Sequence, residues 1–184
     1  GGILNRLILT VNDTTIRNNS STFVGGGISC NITFGGGALA TLNRCTISAN
    51  TAPEGGGVHV QGVTASAALT LNNCTVSGNI ATGVGGGGAS AVATGFPTAL
   101  NLNHCTFSGN LGTNGNCVYT SVNSSTATVT YVETIFDGSQ FPNIGSFGST
   151  LVSGGYNLSS DGSGNLIASG DLASINPLLG PLAA

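Results

Sequence analysis

Short stretches in which apolar and polar residues alternate recur along this chain. Five of them run from Leu9 to Val11, Ala40 to Leu42, Leu69 to Leu71, Leu100 to Leu102 and Val129 to Tyr131. Alternation with a period of two is typical of strands with one buried face. Because no helical periodicity interrupts this pattern, it predicts an all-β protein built of short strands.

A six-residue motif follows each alternating stretch, at intervals of about thirty residues. Its copies are TTIRNN at 14–19, CTISAN at 45–50, CTVSGN at 74–79, CTFSGN at 105–110 and a weaker ETIFDG at 133–138. Glycine-rich strands come next in the first three copies, as GGGISC at 25–30, GGGVHV at 55–60 and GGGASA at 86–91, while the fourth copy has NGNCVY at 114–119. Self-similarity at such a fixed period indicates a repeat architecture.

Three short strands per repeat predict one coil of a right-handed parallel β-helix, a β-solenoid. Each strand would pair with its copies in neighbouring coils, about 4.8 Å away. A single coil cannot bury its own inner face, so several must stack. We expect about five coils over residues 1–138 and a turn-rich cap or anchor-like region over residues 139–184.

Equivalent residues of the copies should form columns along the solenoid axis. One inward column would hold Thr14, Cys45, Cys74 and Cys105, and the next Ile16, Ile47, Val76, Phe107 and Ile135. Two polar columns at the corners would be asparagine ladders, Asn12, Asn43, Asn72 and Asn103 in one and Asn19, Asn50, Asn79 and Asn110 in the other. Asparagine tolerates left-handed backbone angles, and its amide can hydrogen-bond to the copies above and below.

The CTxSGN copies with their glycine runs resemble the repeats of secreted bacterial β-helix surface proteins of the pectate-lyase-like superfamily. Residues 153–162, SGGYNLSSDG, with the later NPLLGPL at 176–182, resemble the choice-of-anchor Q domain. These resemblances imply an extracellular or cell-surface protein. The chain stops before the segment and tail that usually follow such a domain, so we do not expect this chain itself to anchor to a cell wall.

Charge is scarce in this sequence. Three cationic and six acidic side chains give a net charge of −3 over 184 residues. Nucleic-acid binding needs clustered lysine and arginine, so that partner class is excluded. The hydrophobic fraction of 40% supplies enough apolar surface for a folded core. No apolar run is long enough to span a bilayer.

The candidate catalytic groups are dispersed along the chain. Of the six acids, only Glu133 and Asp137 are near each other, and they flank a single strand. A catalytic pair there is less plausible than a solvated coil edge. One outward column holds Asp13, Arg44, Asn73 and His104. It is either a binding stripe or, as we favour, a polar corner in which Asp13 and Arg44 form a surface ion pair.

Histidine and cysteine offer no metal site in the pattern. His59 stands alone between two valines and points away from the apolar side, and the stacked cysteines should be buried neutral thiols. The glycine runs lack the lysine and following helix of a phosphate loop, and they predict tight corners with positive φ. We therefore expect no enzyme activity and no cofactor.

The resulting functional expectation is a structural surface solenoid whose partners are copies of itself or other surface components. The apolar start at 3–11 needs a cover, which upstream residues, the C-terminal region of the same chain or that of a neighbouring copy could supply; the last would build a head-to-tail filament or appendage. The alternative is a carbohydrate-binding adhesin or a degenerate polysaccharide lyase or hydrolase. Acids beside an open groove with an aromatic platform would favour an enzyme or a lectin.

Overall fold

The computed structural model describes residues 1–32, 36–138, 140 and 142–180. In this part of the chain the regular elements are all β-strands, and the three main sheets are parallel and stacked as a solenoid of about five turns. The predicted fold class is confirmed, with three main strands in each coil.

Each main sheet collects one strand from every coil. Sheet A contains β1 (Ile3–Asn5), β4 (Ile28–Ile32), β8 (Val58–Gly62), β12 (Ala89–Ala93), β15 (Val118–Val122) and β18 (Ile144–Phe147). Sheet B contains β2 (Ile8–Asn12), β5 (Ala38–Asn43), β9 (Ala67–Asn72), β13 (Thr98–Asn103), β16 (Ala127–Val132) and β19 (Thr150–Ser153). Sheet C contains β3 (Thr15–Arg17), β6 (Thr46–Ser48), β10 (Thr75–Ser77), β14 (Thr106–Ser108), β17 (Ile135–Asp137), β20 (Leu158–Ser159) and β21 (Leu172–Ala173). Two short strands, β7 (Thr51–Ala52) and β11 (Ile80–Ala81), form a further parallel pair.

All three sheets continue past residue 138 through β18, β19, β20 and β21. The segment from 139 onward therefore adds strands to the solenoid as well as turns. These strands have two to four residues each, so the last turn is less regular than the coils before it.

The core lies inside the coils, where alternate residues of each strand point inward. Ile47, Val76 and Phe107 occupy neighbouring positions on sheet C and are fully buried. The prediction that Ile135 is the fifth member of this column is wrong. The strand register pairs Phe107 with Phe136, whose ring centroid lies 5.7 Å from that of Phe107.

The register shift in the fifth coil has a simple physical cause. The gapless alignment places Glu133 beside Cys105, in a buried column that would desolvate the carboxylate. In the structure Thr134 takes that position, and its Oγ1 accepts a hydrogen bond from the Cys105 backbone N–H at 3.3 Å. Glu133 moves to the exposed corner and joins the outward column after His104.

Left-handed residues mark one corner of every coil, but they are not the asparagines predicted to adopt that conformation. The φ angles near +50° belong to the next residue along the chain: Asp13, Arg44, Asn73, His104 and Glu133. At the following corner the left-handed residues are Asn18, Ala49, Gly78 and Gly109, each just before an asparagine of the second ladder. The ladder positions thus select asparagine for the hydrogen bonds of its side-chain amide and not for its ability to adopt a left-handed backbone conformation.

Close approach of neighbouring coils explains most of the glycine runs. A Cβ on Gly56 would lie 2.5 Å from the Ile80 carbonyl oxygen and 2.6 Å from that of Gly87. Positive φ is found at the first glycine of all three runs, Gly25, Gly55 and Gly85. The expected positive φ is therefore confirmed at these corners, whereas close approach and not backbone angle selects the glycines that follow them.

Candidate functional site

The first asparagine ladder runs along an outer edge of sheet B. The amide Nδ2 of Asn43 donates to Asn12 Oδ1, Asn72 donates to Asn43, and Asn103 donates to Asn72, each at 2.8 Å. All three bonds point in the same direction along the axis. Asn12, in the first coil, has an Nδ2 with no partner among the described residues.

The second ladder is buried and more extensively bonded. Asn50 Nδ2 donates to the Ile16 carbonyl of the preceding coil at 2.9 Å and to Asn79 Oδ1 of the next coil at 2.9 Å. Asn79 repeats this pattern toward Asn110. In the first coil, Asn19 Nδ2 donates to Asn50 Oδ1 at 3.0 Å and, in place of a preceding-coil carbonyl, to the Arg17 carbonyl of its own coil at 3.1 Å. This ladder ties successive coils together and is structural.

The thiol column lies inside the solenoid, where its members hydrogen-bond to neighbouring coils. The Cys45 backbone N–H donates to Cys74 Sγ at 3.4 Å, and the Cys74 thiol donates to the Leu42 carbonyl at 3.5 Å. Burial raises the pKa of Cys74 to about 11 and that of Cys105 to about 12. All five cysteines are free thiols, and Thr134 continues the column with a hydroxyl.

Five of the six acids form pairs or structural hubs, whereas Glu54 is partly buried and its burial raises the pKa of the carboxyl to about 7. Asp13 accepts two bonds of 2.7 Å from the Arg44 guanidinium, and Glu133 lies 3.0 Å from His104 Nε2; all four groups are exposed. Asp137 accepts from the Ser108 hydroxyl at 3.2 Å. Across the described residues no three His, Cys, Asp or Glu side chains form a group that could hold a metal ion.

Asp161 and Asp171 organise the C-terminal region, a role that the sequence analysis missed. Asp161 accepts hydrogen bonds from the Asn143 backbone N–H, the Ser159 hydroxyl and both donors of Ser163, at 2.6–3.0 Å. Burial alone would raise the pKa of Asp161, but these hydrogen bonds outweigh it and leave the pKa below its usual value. The sequence signal is the serine-flanked Asp-Gly, which is typical of side-chain-closed turns.

Asp171 accepts four hydrogen bonds of its own. They come from the Ser153 hydroxyl at 2.6 Å, the Ala168 backbone N–H at 2.8 Å, and the backbone and side-chain amides of Asn157 at 2.9 and 3.1 Å. These bonds again outweigh burial and lower the pKa of the carboxyl. Both carboxylates are thus engaged in holding turns.

His59 is completely buried although its strand position points away from the core. The preceding glycine turn lies over it, because a Cβ on Gly55 would come within 2.9 Å of His59 Cβ. Burial lowers the pKa of His59 to about 4. Its Nε2 lies 3.5 Å from Gln61 Oε1, and its Nδ1 has no hydrogen-bond partner in the described part of the chain.

A groove of about 490 Å³ opens on the outer face of sheet A at the first three coils. We call it the Phe23 groove, and its principal lining residues are Leu4, Arg6, Phe23, Ser29, Asn31 and Gln61. Gln61 Nε2 donates to Thr94 Oγ1 at 2.7 Å, which turns Gln61 Oε1 toward Asn31 Nδ2 at 3.0 Å. This fixes the Asn31 amide, and its buried Oδ1 has no partner in the described structure.

The first coil is the other feature that lacks partners. Ile3, Leu9 and Val11 point into the core but are only half-buried, whereas the residues beside them in the second coil are fully buried. Strands β1, β2 and β3 each end a sheet and pair on one side only. Leu7 lies between β1 and β2, and Ile8 is the first residue of β2; they are 67% and 80% exposed.

No family model, curated protein or solved structure matches the chain. The fold defines the class of protein as a parallel β-solenoid of stacked repeats. Membership of the pectate-lyase-like superfamily and the presence of an anchor domain stay predictions. In the described residues there is no helix that could cross a membrane.

Proposed function

We propose that this chain is a structural solenoid of an extracellular or cell-surface protein and that it associates end to end through its first coil. The observation that carries the proposal is the half-open core of that coil, with Ile3, Leu9 and Val11 only half-buried. Open strand edges beside exposed apolar residues favour pairing with a further strand.

Two further features support axial association. The bonds of the first ladder all run toward the first coil, so the Asn12 amide has a donor placed to extend that ladder to another coil. The net charge of −3 also opposes stacking only weakly. If the C-terminal region of one copy covers the first coil of the next, the contact is heterologous and builds a filament.

The test is sedimentation velocity combined with electron microscopy over a concentration series of the full chain. We expect concentration-dependent oligomers for the native sequence. The double variant Leu7→Lys, Ile8→Lys should shift them toward monomer, because it places charge on the exposed apolar patch of the first coil. Val84→Lys, at a residue 61% exposed in the middle of the solenoid, is the matched control. A native chain that stays monomeric at millimolar concentration would refute the proposal.

The proposed structural role carries no catalytic step. We expect no release of reducing ends or unsaturated products from pectin-like polymers, because the acids are dispersed or engaged in hydrogen bonds. Product release that disappears in Glu133→Gln would contradict this expectation, since Glu133 is the exposed acid in the candidate pair.

A further inference from the structure

Charged side chains are distributed unequally along the solenoid axis. The three arginines all lie in the first two coils, at Arg6, Arg17 and Arg44. Four of the six acids lie in the last part of the chain, at Glu133, Asp137, Asp161 and Asp171. Residues 1–92 hold three arginines and two acids, a net charge of +1, whereas residues 93–184 hold no lysine or arginine and four acids, a net charge of −4. The solenoid therefore has a basic end and an acidic end.

One outer column of sheet C runs from the basic end to the acidic end. Strand pairing places five residues in it, Arg17, Ser48, Ser77, Ser108 and Asp137. The column begins with a cation, ends with a carboxylate and has uncharged hydroxyls in between. Arg17 is exposed and makes no ion pair with a described residue, so its guanidinium donors are available to another molecule.

The basic end combines charge with exposed apolar surface. Arg6 lies between β1 and β2 and, like Arg17, is exposed and forms no ion pair within the part of the chain that the structure describes. Leu7 and Ile8 follow it directly and are largely exposed. The outer edges of β1, β2 and β3 are open beside these side chains. Such a surface fits a partner that offers carboxylates together with apolar side chains.

The acidic end of the same chain offers both. Asp161 lies two residues after β20, and Asp171 directly precedes β21, the outermost strand of sheet C. Hydrogen bonds keep the pKa of both carboxyls below the ordinary value, so both are charged at neutral pH. Leu172, on β21, and Ile175 are 51% and 46% exposed. Because no arginine or lysine occurs after Arg44, no cation of the last coils balances these carboxylates.

We infer that the first coil of one copy binds the acidic last turn of another copy, so that the contact is heterologous and weakens as salt concentration rises. This inference rests on the proposed end-to-end association and adds the partner surface and its orientation. A contact between two first coils would bring the arginines of both copies together, and a contact between two last turns would bring their acids together; like charges at an interface oppose binding. The head-to-tail arrangement places opposite charges and apolar side chains against each other at every contact.

Salt dependence of the native chain is the first test and needs no variant. Sedimentation velocity is measured at about 0.01 M and about 0.1 M NaCl, between which the screening length falls from about 30 to about 10 Å. The dissociation constant of the oligomers should rise at least about threefold over this range. Oligomers whose dissociation constant does not change with salt would overturn the inference while leaving end-to-end association intact.

Variants of the last turn test the partner surface directly. Ser169→Lys combined with Ala173→Lys places two cations beside the acids, at exposed positions whose side chains hold no hydrogen bond within the described residues. This variant should raise the dissociation constant at least about tenfold although it lies at the opposite end from the first coil. The control, Ser169→Gln with Ala173→Gln, lengthens the same side chains without charge and should associate within about twofold of the native chain.

A mixture of two inactive variants distinguishes the orientations. Arg6→Glu with Arg17→Glu damages the first coil and keeps the last turn, and the lysine variant does the reverse. Neither should associate alone, but together they should form a one-to-one dimer that does not grow, because one intact first coil meets one intact last turn. Self-association of the lysine variant would show contact between two first coils and overturn the inference. A native chain that is monomeric at every salt concentration would instead refute the proposed association itself. Far-ultraviolet circular dichroism verifies that each variant is folded.

Discussion

The first coil and the last turn of this solenoid differ in how far their core residues are covered. In the first coil, Ile3, Leu9 and Val11 leave the core half-open along the axis. At the other end, Leu166 packs against the core and the Tyr131 hydroxyl donates to the Gly164 carbonyl, so that the tail closes the last turn. The described residues after 153 thus fold back over the last turn, whereas in the first coil no described residue covers the half-buried core positions.

The capped end shows what closure requires in a repeat protein. The stacked coils are held by columns of equivalent residues, but a cap has no next copy to bond to. Asp161 and Asp171 replace those missing bonds by collecting backbone and hydroxyl donors from several turns. The first coil has no comparable hub among the described residues, and it is there that we place the associating surface.

The largest loss of stability should come from a substitution in the core of a central coil. Ile47→Asp would bury an unpaired carboxylate in a fully buried column and should cost several kcal/mol, on the order of 4. Thr46→Asp, one residue away on the outer side of the same strand, should cost less than about 1 kcal/mol. Chemical denaturation measures both, and equal losses would refute the column assignment.

Removal of a hub should destabilise the capped end next most strongly. Asp171→Ala leaves the Ser153, Asn157 and Ala168 donors without their acceptor and should cost about 2–3 kcal/mol. Hydrogen exchange should show the loss of protection concentrated after residue 150. The matched change in the first coil is Asp13→Ala, which removes an exposed, solvent-screened ion pair and should cost clearly less than Asp171→Ala. A larger loss for Asp13→Ala would reverse the comparison between the ends.

Within the second asparagine ladder, a central residue should contribute more to stability than the residue in the first coil. Asn50→Ala removes bonds to both neighbouring coils and should cost about 1–3 kcal/mol. Asn19→Ala should cost less, because Asn19 is only partly buried and bonds to one neighbouring coil. Thermal unfolding of the two variants checks the order, and a greater loss at Asn19 would show that the first coil is not the weakly held end.

Acid should destabilise the capped end in a defined pH window. The pKa values of Asp161 and Asp171 are lower in the folded chain than their ordinary value of 3.8. Their contribution is therefore present above about pH 4 and is lost as the pH falls through the folded pKa values. Melting temperature should fall by a few degrees in this window, and Asp171→Asn should flatten the fall.

His59, in sheet A, should lower stability at a higher pH than the two aspartates do, so the two contributions can be measured separately. Its pKa is lowered by burial from 6.5 to about 4, so the unfolded chain takes up a proton before the folded chain does. Stability should decline as the pH falls from 6.5 to 4 for this reason alone. His59→Gln should remove that part of the decline and leave the acid response of the capped end below pH 4 intact.

Sequence by itself determined the fold class and most of the columns. In a solenoid the tertiary partner of each strand is its own copy about thirty residues away, so a repeated pattern in the chain is also a pattern of contacts. This is why the positions of Ile47, Val76 and Phe107 in one column, and the bonds between Asn50 and Asn79, could be read from aligned motifs.

Tertiary structure decided everything that departs from the repeat. Burial and not similarity placed Thr134 and Phe136 in the core of the fifth coil and sent Glu133 to the corner. The glycine turn that covers His59 and the lining of the Phe23 groove depend on loops of one coil lying over strands of another. Those contacts have no period in the sequence, because each is made once, and only the packed chain brings their residues together.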